Sequence, residues 1–411
     1  MVRTVTHSTG ERIPLLFRLN TFQPVLLPLL WVTLTRRYKA SSTIDKDVRA
    51  IKAFYDYCWE TGFDPELATL DRNFDSILAH YDRFAYWIKS KRKTDKVVAR
   101  VGNIKPDSPD EFLSSGAVNT YLGSVKLFLI WCVNRYVTHL SEKSDQLDKV
   151  LRRKDMLMKQ LERMFDAHVL TVKLRNKSDG LEPEQVSEIR NYIHPEALEN
   201  PYPKSSRVRN WLIFNIMLET GIRRSELLKL QTIDVQEVNE RCFIVLVDRT
   251  GDPNDPRKYE PGFKTLERTI EITPNLYEVL DDYIDYFRRP TVSAGNPKKL
   301  QHMYLFTNYR GDPLGAKSIN AMFDPLKIKL NSPDFSPHKL RNTFANEFLE
   351  FLVESQKISL EAAQDKLRYL GGWSPTSPMP QKYGHKYIAK LANKFNRTRI
   401  QSAWERVRQY E

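Results

Sequence analysis

The chain has 411 residues, of which 64 are Lys or Arg and 51 are Asp or Glu, a formal net charge of +13. This length favours two domains over one, and 41% hydrophobic residues with 11% aromatics exclude general disorder. The basic surplus favours a polyanionic partner, because Lys and Arg that neutralise phosphates release condensed counterions, whereas a merely basic protein is the alternative.

Cysteine usage and hydropathy favour a cytoplasmic protein without a metal site. Cys58, Cys132 and Cys242 lie far apart and form no CxxC pair, so we expect buried, reduced thiols rather than a disulfide framework or a metal site. The most apolar stretch, 25–34, is too short to span a bilayer and contains Pro28. We interpret it as a buried extended segment or short helix, and we predict no cofactor and no membrane association.

The first half of the chain has the periodicity of a helical bundle. Residues 1–40 are predicted to be an N-terminal extended segment, and residues 41–172 a helical domain. Apolar positions at helical spacing predict helices at about 42–60, 84–88, 117–137 and 145–168. The basic, polar stretch 89–106 is either a phosphate-contacting loop or a solvated charge run, and the sequence favours neither.

Composition changes at 173–180, which is charged, lacks aromatic residues and ends in glycine, as is typical of a linker. The second domain is then 181–411, and it consists mainly of helices with two strands between them. Helices are predicted near 183–189, 211–219, 224–230, 276–287 and 340–354 and from 386 onward, and strands at 242–247 and 268–272. The fold class that follows is mainly α with a small antiparallel β-sheet (α+β).

One stretch of this second domain, LETGIRRSELLKL (218–230), places an arginine at a junction between helices. Gly221 supplies a turn that ends one helix, and Ser225 and Glu226 suit the start of the next. Arg223 is thereby held near helix N-terminal amides, which favour an anion. An isolated arginine at such a position is usually a surface residue.

The stretch PHKLRNTFANEF (337–348) places an imidazole and a guanidinium on one helix face. His338 and Arg341 are three positions apart, so on the first turn of a helix both side chains can reach the same phosphate. In GFKTLERTIEIT, Lys264 precedes a strand closely enough to lie in a β-turn and to reach into a cleft. Each of these two patterns is weak by itself.

A fourth stretch, LGGWSPTSPMPQKYGHKYI (370–388), contains a bend and a candidate nucleophile. Gly371 and Gly372 place Trp373 at a sharp turn, and a segment rich in Pro and Ser then leads to Tyr383. This arrangement leaves the tyrosine on a mobile support. A tyrosine near a C-terminus more often has a packing role.

The order of the motifs is more specific than any one of them. TGxR, a lysine before a strand, HxLR, LGxW and a later tyrosine together resemble the tyrosine recombinase (phage integrase) family, over roughly residues 180–400. The helical first half resembles the core-binding domain of that family. The resemblance implies a C-shaped clamp on double-stranded DNA, and a homotetramer on two duplexes with exchanged C-terminal helices.

The resemblance also assigns roles to individual residues. It implies that two arginines clamp the scissile phosphate with a histidine beside them, that a hairpin lysine and a tryptophan complete the site, and that a tyrosine is the nucleophile. In that order the candidate catalytic residues are Arg223, Arg341, His338, Lys264, Trp373 and Tyr383. Many family members have histidine in place of this tryptophan, and some have tryptophan.

Two positions have rivals. Lys258 competes with Lys264, because the approach to the strand (RTGDPNDPRKYEPG) is long and irregular. Tyr387 competes with Tyr383, although Tyr383 has the better distance from Trp373 along the chain.

These residue types suit phosphodiester transfer. Two guanidiniums can each donate a bidentate pair of hydrogen bonds to nonbridging oxygens, a role that a metal ion fills in other nucleases. A phenol has a pKa near 10, so neighbouring arginines that favour the phenolate would activate the tyrosine. Lys264 is the candidate acid for the leaving 5′ oxygen, and the covalent 3′-phosphotyrosyl link would conserve bond energy without ATP.

The sequence therefore predicts a site-specific DNA recombinase or integrase that needs neither metal nor ATP and acts in the cytoplasm on nucleoid DNA. A type IB topoisomerase would use the same chemistry to relax one duplex. A non-catalytic DNA-binding regulator would retain binding without forming an adduct, and a metal-dependent nuclease would be stopped by chelation. Residues that read base sequence are not identified at this stage.

Overall fold

A computed structural model describes residues 1–90, 113–137, 144–172, 180–288, 300–383 and 385–408. The chain divides into two compact units, Met1–Arg175 and Asn176–Glu411. Of the linker predicted at 173–180, only Gly180 lies among the described residues. Most of the basic stretch 89–106 also lies outside them, so both interpretations of that stretch stay predictions.

The described part of the first unit is a β-hairpin followed by helices. Its elements are β1 (Val2–Thr6), β2 (Arg12–Leu16), α1 (Leu26–Trp31), α2 (Ser41–Glu60), α3 (Pro65–Leu70), α4 (Phe74–Ser90), α5 (Ser115–Val137) and α6 (Ser144–His168). A π-helical turn at Val32–Arg36 follows α1. The helices predicted at 42–60, 117–137 and 145–168 are confirmed, and the one predicted at 84–88 is the end of the longer α4.

Residues 1–40, predicted to be an extended segment, contain a β-hairpin and the helix α1. β1 and β2 pair antiparallel, with Val2 opposite Leu16, and Leu16 is buried in the core of the unit. The hairpin packs on α2, and this long-range packing stabilises a pair of strands that would be marginal by itself. The apolar stretch 25–34 contains the short helix α1, which is one of its two predicted forms.

The core of the first unit surrounds α5. This helix is long and apolar enough to cross a membrane by length and composition, but 44% of its apolar window is buried inside the unit. Val118, Leu122 and Val125 are fully buried at helical spacing, as expected of a core helix. Cys58, Cys132 and Cys242 are buried free thiols, as predicted.

The second unit combines helices with a three-stranded sheet. Its described elements are α7 (Pro183–Tyr192), α8 (Lys204–Thr220), α9 (Arg224–Leu227), β3 (Val235–Val238), β4 (Arg241–Leu246), β5 (Arg268–Ile272), α10 (Pro274–Asp282), α11 (Ala316–Lys329), α12 (Pro337–Glu350), α13 (Leu360–Leu370), α14 (Met379–Tyr383) and α15 (His385–Arg408). π-Helical turns follow α10 and α12, at Tyr283–Phe287 and Phe351–Ser355. The predicted fold class, mainly α with a small antiparallel sheet, is confirmed.

The sheet has the order β3-β4-β5 and is antiparallel throughout. Ile244 of β4 is opposite Ile270 of β5, and both side chains are buried against the helical core. β4 and β5 are joined by the long connection 247–267, in which Lys264 lies close to the start of β5. The sheet thus places this lysine at its edge.

Several boundaries differ from the predicted ones. The helix expected at 224–230 ends at Leu227, α8 begins seven positions earlier than predicted, and α11 and α13 were not predicted. α11 continues through Pro325, which sequence rules treat as a helix breaker. Burial of Ile319, Met322 and Phe323 in the core stabilises this helix.

Gly221, which closes α8, has a backbone and a neighbour that both require glycine. Its φ is +61°, in the left-handed region, and a Cβ placed there would lie 2.2 Å from Cδ1 of Phe344 on α12. The close contact joins α8 to α12. These two helices carry the two candidate arginine motifs.

We expect Gly221→Ala to lower the free energy of unfolding by about 3 kcal/mol, because left-handed strain and overpacking against Phe344 add. Gly251→Ala is the matched control, because Gly251 has φ of +82° and its added Cβ would meet nothing within 4 Å. Strain alone would cost about 1 kcal/mol there. Urea denaturation followed by circular dichroism measures both, and equal losses would contradict the packing argument.

Candidate active site

Arg223 lies at the junction that the sequence predicts. α8 ends at Thr220, Gly221 turns the chain and Arg223 is the N-cap residue of α9. Its backbone N–H donates to Oε2 of Glu226 at 2.8 Å, and its side chain is half-buried. The arginine backbone is thereby fixed by the first turn of the following helix.

Arg341 lies one turn into α12, which begins at Pro337, and is almost completely buried. Its Nη1 donates to the carbonyl oxygen of Gly221 at 2.5 Å, and its Nη2 donates to that of Gly371 at 2.8 Å. Arg341 therefore connects the α8–α9 junction to the bend that follows α13. Two motifs that are remote in sequence meet at this guanidinium.

Trp373 and the carbonyl of Gly371 contact both arginines. Cζ of Arg341 lies 4.7 Å from the centroid of the Trp373 ring, and Cζ of Arg223 lies 5.9 Å from it. Nη1 of Arg223 also donates to the carbonyl oxygen of Gly371, at 3.4 Å. Cation–π attraction and a shared acceptor thus hold two like charges side by side.

Three of the predicted site residues line one open cavity of about 390 Å³, together with residues that were not predicted. The side chains that matter for anion binding are those of Arg223, Arg224, Ser225, Ser336, His338 and Arg341. Guanidiniums, an imidazole and hydroxyls converge there, and Arg224 also donates to Oδ1 of Asn320. A cavity of this composition suits a phosphate group.

Glu226 provides negative charge beneath this cavity. The residue is buried and accepts hydrogen bonds from Thr265 and, at 3.1 Å, from Nη2 of Arg268. Burial alone raises the pKa of Glu226, but Arg268, Thr265 and Arg341 together lower the pKa below its ordinary value. Glu226 is therefore held as a carboxylate and offsets the charge of the arginines.

Lys264 lies in a segment that docks next to the arginines, although it is not among the residues lining the 390 Å³ cavity. Its neighbour Thr265 bonds Glu226, and the backbone N–H of Leu266 donates to the carbonyl oxygen of Gly372 at 2.9 Å. Lys264 itself is exposed. The hydrogen bonds of its neighbours hold the chain that follows Lys264 against Glu226 and Gly372.

The rival lysine, Lys258, is exposed in the same connection. Its Nζ lies 5.5 Å from the ring centroid of Tyr259, which is also exposed. The segment around it is held by the buried Arg257, whose Nη1 donates to the carbonyl oxygens of Leu228 and Leu314. These contacts do not involve the arginine pair, so the geometry favours Lys264.

Tyr383 is the last residue of α14, and its side chain lies outside the described part of the structure. Tyr387, its rival, is 1% exposed and packs with Leu349 and Leu367. Burial raises the pKa of Tyr387, and Glu354 and Glu350 raise it further. A buried phenol that resists ionisation is suited to packing, and this favours Tyr383 as the nucleophile.

Among the described residues, no group of three or more His, Cys, Asp or Glu side chains could hold a metal ion.

The family model described as the phage integrase family matches residues 180–389, just over half of the chain. The chain belongs to the phage integrase family. The predicted resemblance to tyrosine recombinases is therefore confirmed. The match covers all four motif stretches up to Tyr387.

Curated relatives agree with this family assignment. The chain is 28% identical over 201 residues to tyrosine recombinase XerH of Campylobacter jejuni, covering 46% of this chain and 49% of the relative. It is 28% identical over 144 residues to tyrosine recombinase XerC of Staphylococcus epidermidis, covering 34% of this chain and 40% of the relative. The chain thus spans less than half the length of these two relatives.

A solved structure shares the fold of this phage integrase family member. The integrase of the Tn1549 transposon, in complex with transposon right end DNA, superposes with a TM-score of 0.51 at 17% identity, covering 89% of this chain and 98% of that one. At this identity the likeness concerns the fold alone.

Sequence reasoning missed two positioning residues of the site, Glu226 and Arg268. A signal for Glu226 was present, since a carboxylate three residues after an N-cap residue commonly accepts the N-cap amide. Arg268 begins β5 on the face that carries the buried Ile270. An arginine at an inward position of a strand indicates a buried acidic partner.

Glu226→Gln should lower the free energy of unfolding by about 3 kcal/mol at pH 7, because Arg268 would lose its buried anionic partner. The carboxylate stabilises the fold above its unfolded pKa of about 4.3, and the stabilisation is lost as pH falls through its lower folded pKa. The gap between variant and wild type should therefore narrow at acidic pH.

Denaturation midpoints at pH 7 and at acidic pH measure this gap. Glu271→Gln is the matched control, because Glu271 pairs with Arg241 on the surface and its loss should leave the midpoint unchanged. A gap for Glu226→Gln that stayed constant with pH would show that the charge of Glu226 is not what stabilises the fold.

Proposed function

We propose that this protein is a site-specific DNA recombinase or integrase that cuts and rejoins double-stranded DNA through a 3′-phosphotyrosyl intermediate, without metal or ATP. The observation that carries this proposal is the single cavity lined by Arg223, His338 and Arg341, with Trp373 against both guanidiniums. Membership of the phage integrase family supports it.

In the proposed mechanism, Arg223 and Arg341 hold the nonbridging oxygens of the scissile phosphate and stabilise the charge that develops at phosphorus. Both are preorganised, since each already donates to the carbonyl oxygen of Gly371. The N–H groups that face the cavity therefore need little rearrangement when DNA binds. His338, at the cavity wall, accepts or shares the proton of the nucleophile.

Tyr383 attacks phosphorus and the bond to the 5′ oxygen breaks. The product is a 3′-phosphotyrosyl link and a free 5′-hydroxyl, and Lys264 supplies the proton that this hydroxyl requires. Trp373 supports both arginines through its ring. Religation to another strand reverses these steps.

We propose that four copies act on two duplexes through exchanged C-terminal helices, on nucleoid DNA in the cytoplasm. α15 supports this, because Phe395, Ile400 and Trp404 are exposed on it at 68%, 51% and 64%. Ile400 and Trp404 are four positions apart and share one face of α15, which suits packing against another chain. The net charge of +13 suits the DNA partner.

Wild-type protein should form a covalent adduct with DNA from its own genetic neighbourhood, in EDTA and after quenching with SDS, and Tyr383→Phe should form none. Tyr387→Phe is the matched control and should form the adduct normally, because its buried Oη has no hydrogen-bond partner among the described residues. Mapping the adduct ends gives the target site.

An adduct that persists in Tyr383→Phe and is lost in Tyr387→Phe would reverse the assignment of the nucleophile. DNA binding without any adduct would instead identify a non-catalytic binding protein. Adduct formation abolished by EDTA would identify a metal-dependent enzyme.

Arg341→Lys should slow cleavage by about 10²–10³-fold while DNA affinity changes less, because an ammonium cannot replace a bidentate guanidinium at the phosphate. The rate is measured in a single turnover on saturating DNA. Arg241→Lys is the matched control, because Arg241 is exposed, pairs with Glu271 and lies outside the cavity. This variant should cleave at the wild-type rate. Equal rates for both variants would remove Arg341 from the mechanism.

A further inference from the structure

A fully buried lysine follows shortly after the helix that Arg223 caps. Lys229, two residues after α9, is 1% exposed, and its Nζ donates to the carbonyl oxygen of Arg249 at 2.6 Å and to a carboxylate oxygen of Glu260. A carboxylate oxygen of Asp255 lies 3.6 Å from the same Nζ. Lysine is rarely buried unless it is paired, so this ammonium has a specific structural task.

The partners of Lys229 all belong to the connection between β4 and β5. Arg249 opens the segment, and Glu260 closes it by also accepting from the backbone N–H of Gly251 at 2.8 Å. Asp255, in its middle, pairs with Arg257 as well. The ammonium of Lys229 thus contacts both ends and the middle of the segment 249–260.

The stretch of chain that carries Lys229 also contacts the far end of the loop 260–265, which contains Lys264. Glu226 and Lys229 are three positions apart, and Glu226 accepts from Thr265 whereas Lys229 donates to Glu260. Lys264 lies between Glu260 and Thr265. The two residues that hold this loop, Glu226 and Lys229, therefore both lie in the short segment that begins at Arg223.

We propose that Lys229 is a positioning residue for Lys264: its buried contacts with Glu260 and Arg249 set the loop so that the Lys264 ammonium reaches the leaving 5′ oxygen. The inference rests on the proposed function of Lys264 as the acid. It extends that function by naming the group that sets the acid in place. Lys229 itself touches no DNA in this mechanism.

Charge explains why a lysine serves here. Replacing a buried ion pair by apolar side chains of similar volume is often neutral for stability. The pair therefore fixes the position of the segment rather than adding to the free energy of unfolding. Removing the ammonium alone takes a buried cation from Glu260, whereas Asp255 keeps Arg257, and the Glu260 carboxylate then moves toward water. The segment then shifts, and Lys264 shifts with it.

The chemical step gives the test its specificity. Oη of Tyr383 gives its proton to His338 and forms a bond to phosphorus. The bond from phosphorus to the 5′ oxygen breaks, and the Lys264 ammonium gives one proton to that oxygen and becomes an amine. If sulfur replaces the bridging 5′ oxygen, the thiolate departs without a proton. A variant impaired only in proton donation regains its rate on the sulfur substrate.

The experiment compares single-turnover cleavage of two duplexes that carry the target site mapped from the adduct, one with the natural 5′ oxygen and one with sulfur. The full-length variants are Lys229→Met, Glu260→Gln and Lys264→Ala, with Lys258→Met as the matched control from the same connection. Circular dichroism and DNA affinity are measured for each. Glu260→Gln serves if Lys229→Met does not fold.

We expect Lys229→Met and Lys264→Ala to cleave the oxygen substrate at least roughly 10²-fold more slowly than wild type. Displacing a catalytic group by about 1 Å has a cost of this size, and so does removing a general acid. Glu260→Gln, which keeps an acceptor for Lys229, should lose less. All three should cleave the sulfur substrate at the wild-type rate, and Lys258→Met should match wild type on both.

Two results overturn the inference while leaving the proposed function intact. One is rescue of Lys264→Ala by sulfur without rescue of folded Lys229→Met or of Glu260→Gln; the other is wild-type cleavage of the oxygen substrate by Lys229→Met. If sulfur does not rescue Lys264→Ala, or rescues Lys258→Met instead, the assignment of the acid fails and the inference fails with it.

Discussion

Two guanidiniums must lie side by side in this site although they repel each other. The structure meets this constraint through shared contacts, because Arg223 and Arg341 both donate to the carbonyl oxygen of Gly371 and both lie against the ring of Trp373. Beneath them, Glu226 is held as a carboxylate. The pair is therefore set in position before an anion arrives, which is the condition for electrostatic catalysis.

The same contacts join parts of the second unit that are remote in sequence. Arg341 connects α12 to the turn at Gly221, and Arg268 connects β5 to Glu226 and to the carbonyl oxygen of Leu370. Arg268 packs so closely against the bend after α13 that Gly372 has no space for a side chain. A Cβ there would lie 2.4 Å from Nη1 of Arg268. The residues proposed to act in catalysis consequently also serve in packing.

Local signals predicted the helices well and the small strands less well. α2, α5 and α6 were evident because their apolar residues repeat with helical spacing over many turns. The hairpin of β1 and β2 was missed, because its strands are short and packing on α2 stabilises them. α11 was not predicted, because it contains a proline, which disfavours a helix locally. Burial of its apolar side chains overrides that local preference.

By itself the sequence determined the chemical inventory of the site: arginines at a helix junction and on a helix's first turn, a lysine before a strand, a tryptophan at a bend and a late tyrosine. The residue types and their order carry that information. Only the tertiary structure decided that Tyr387 is buried and that Thr265, the neighbour of Lys264, bonds Glu226. It also decided that Lys229 is buried against Glu260. Burial and charge pairing arise from contacts between segments distant along the chain, and no local pattern specifies them.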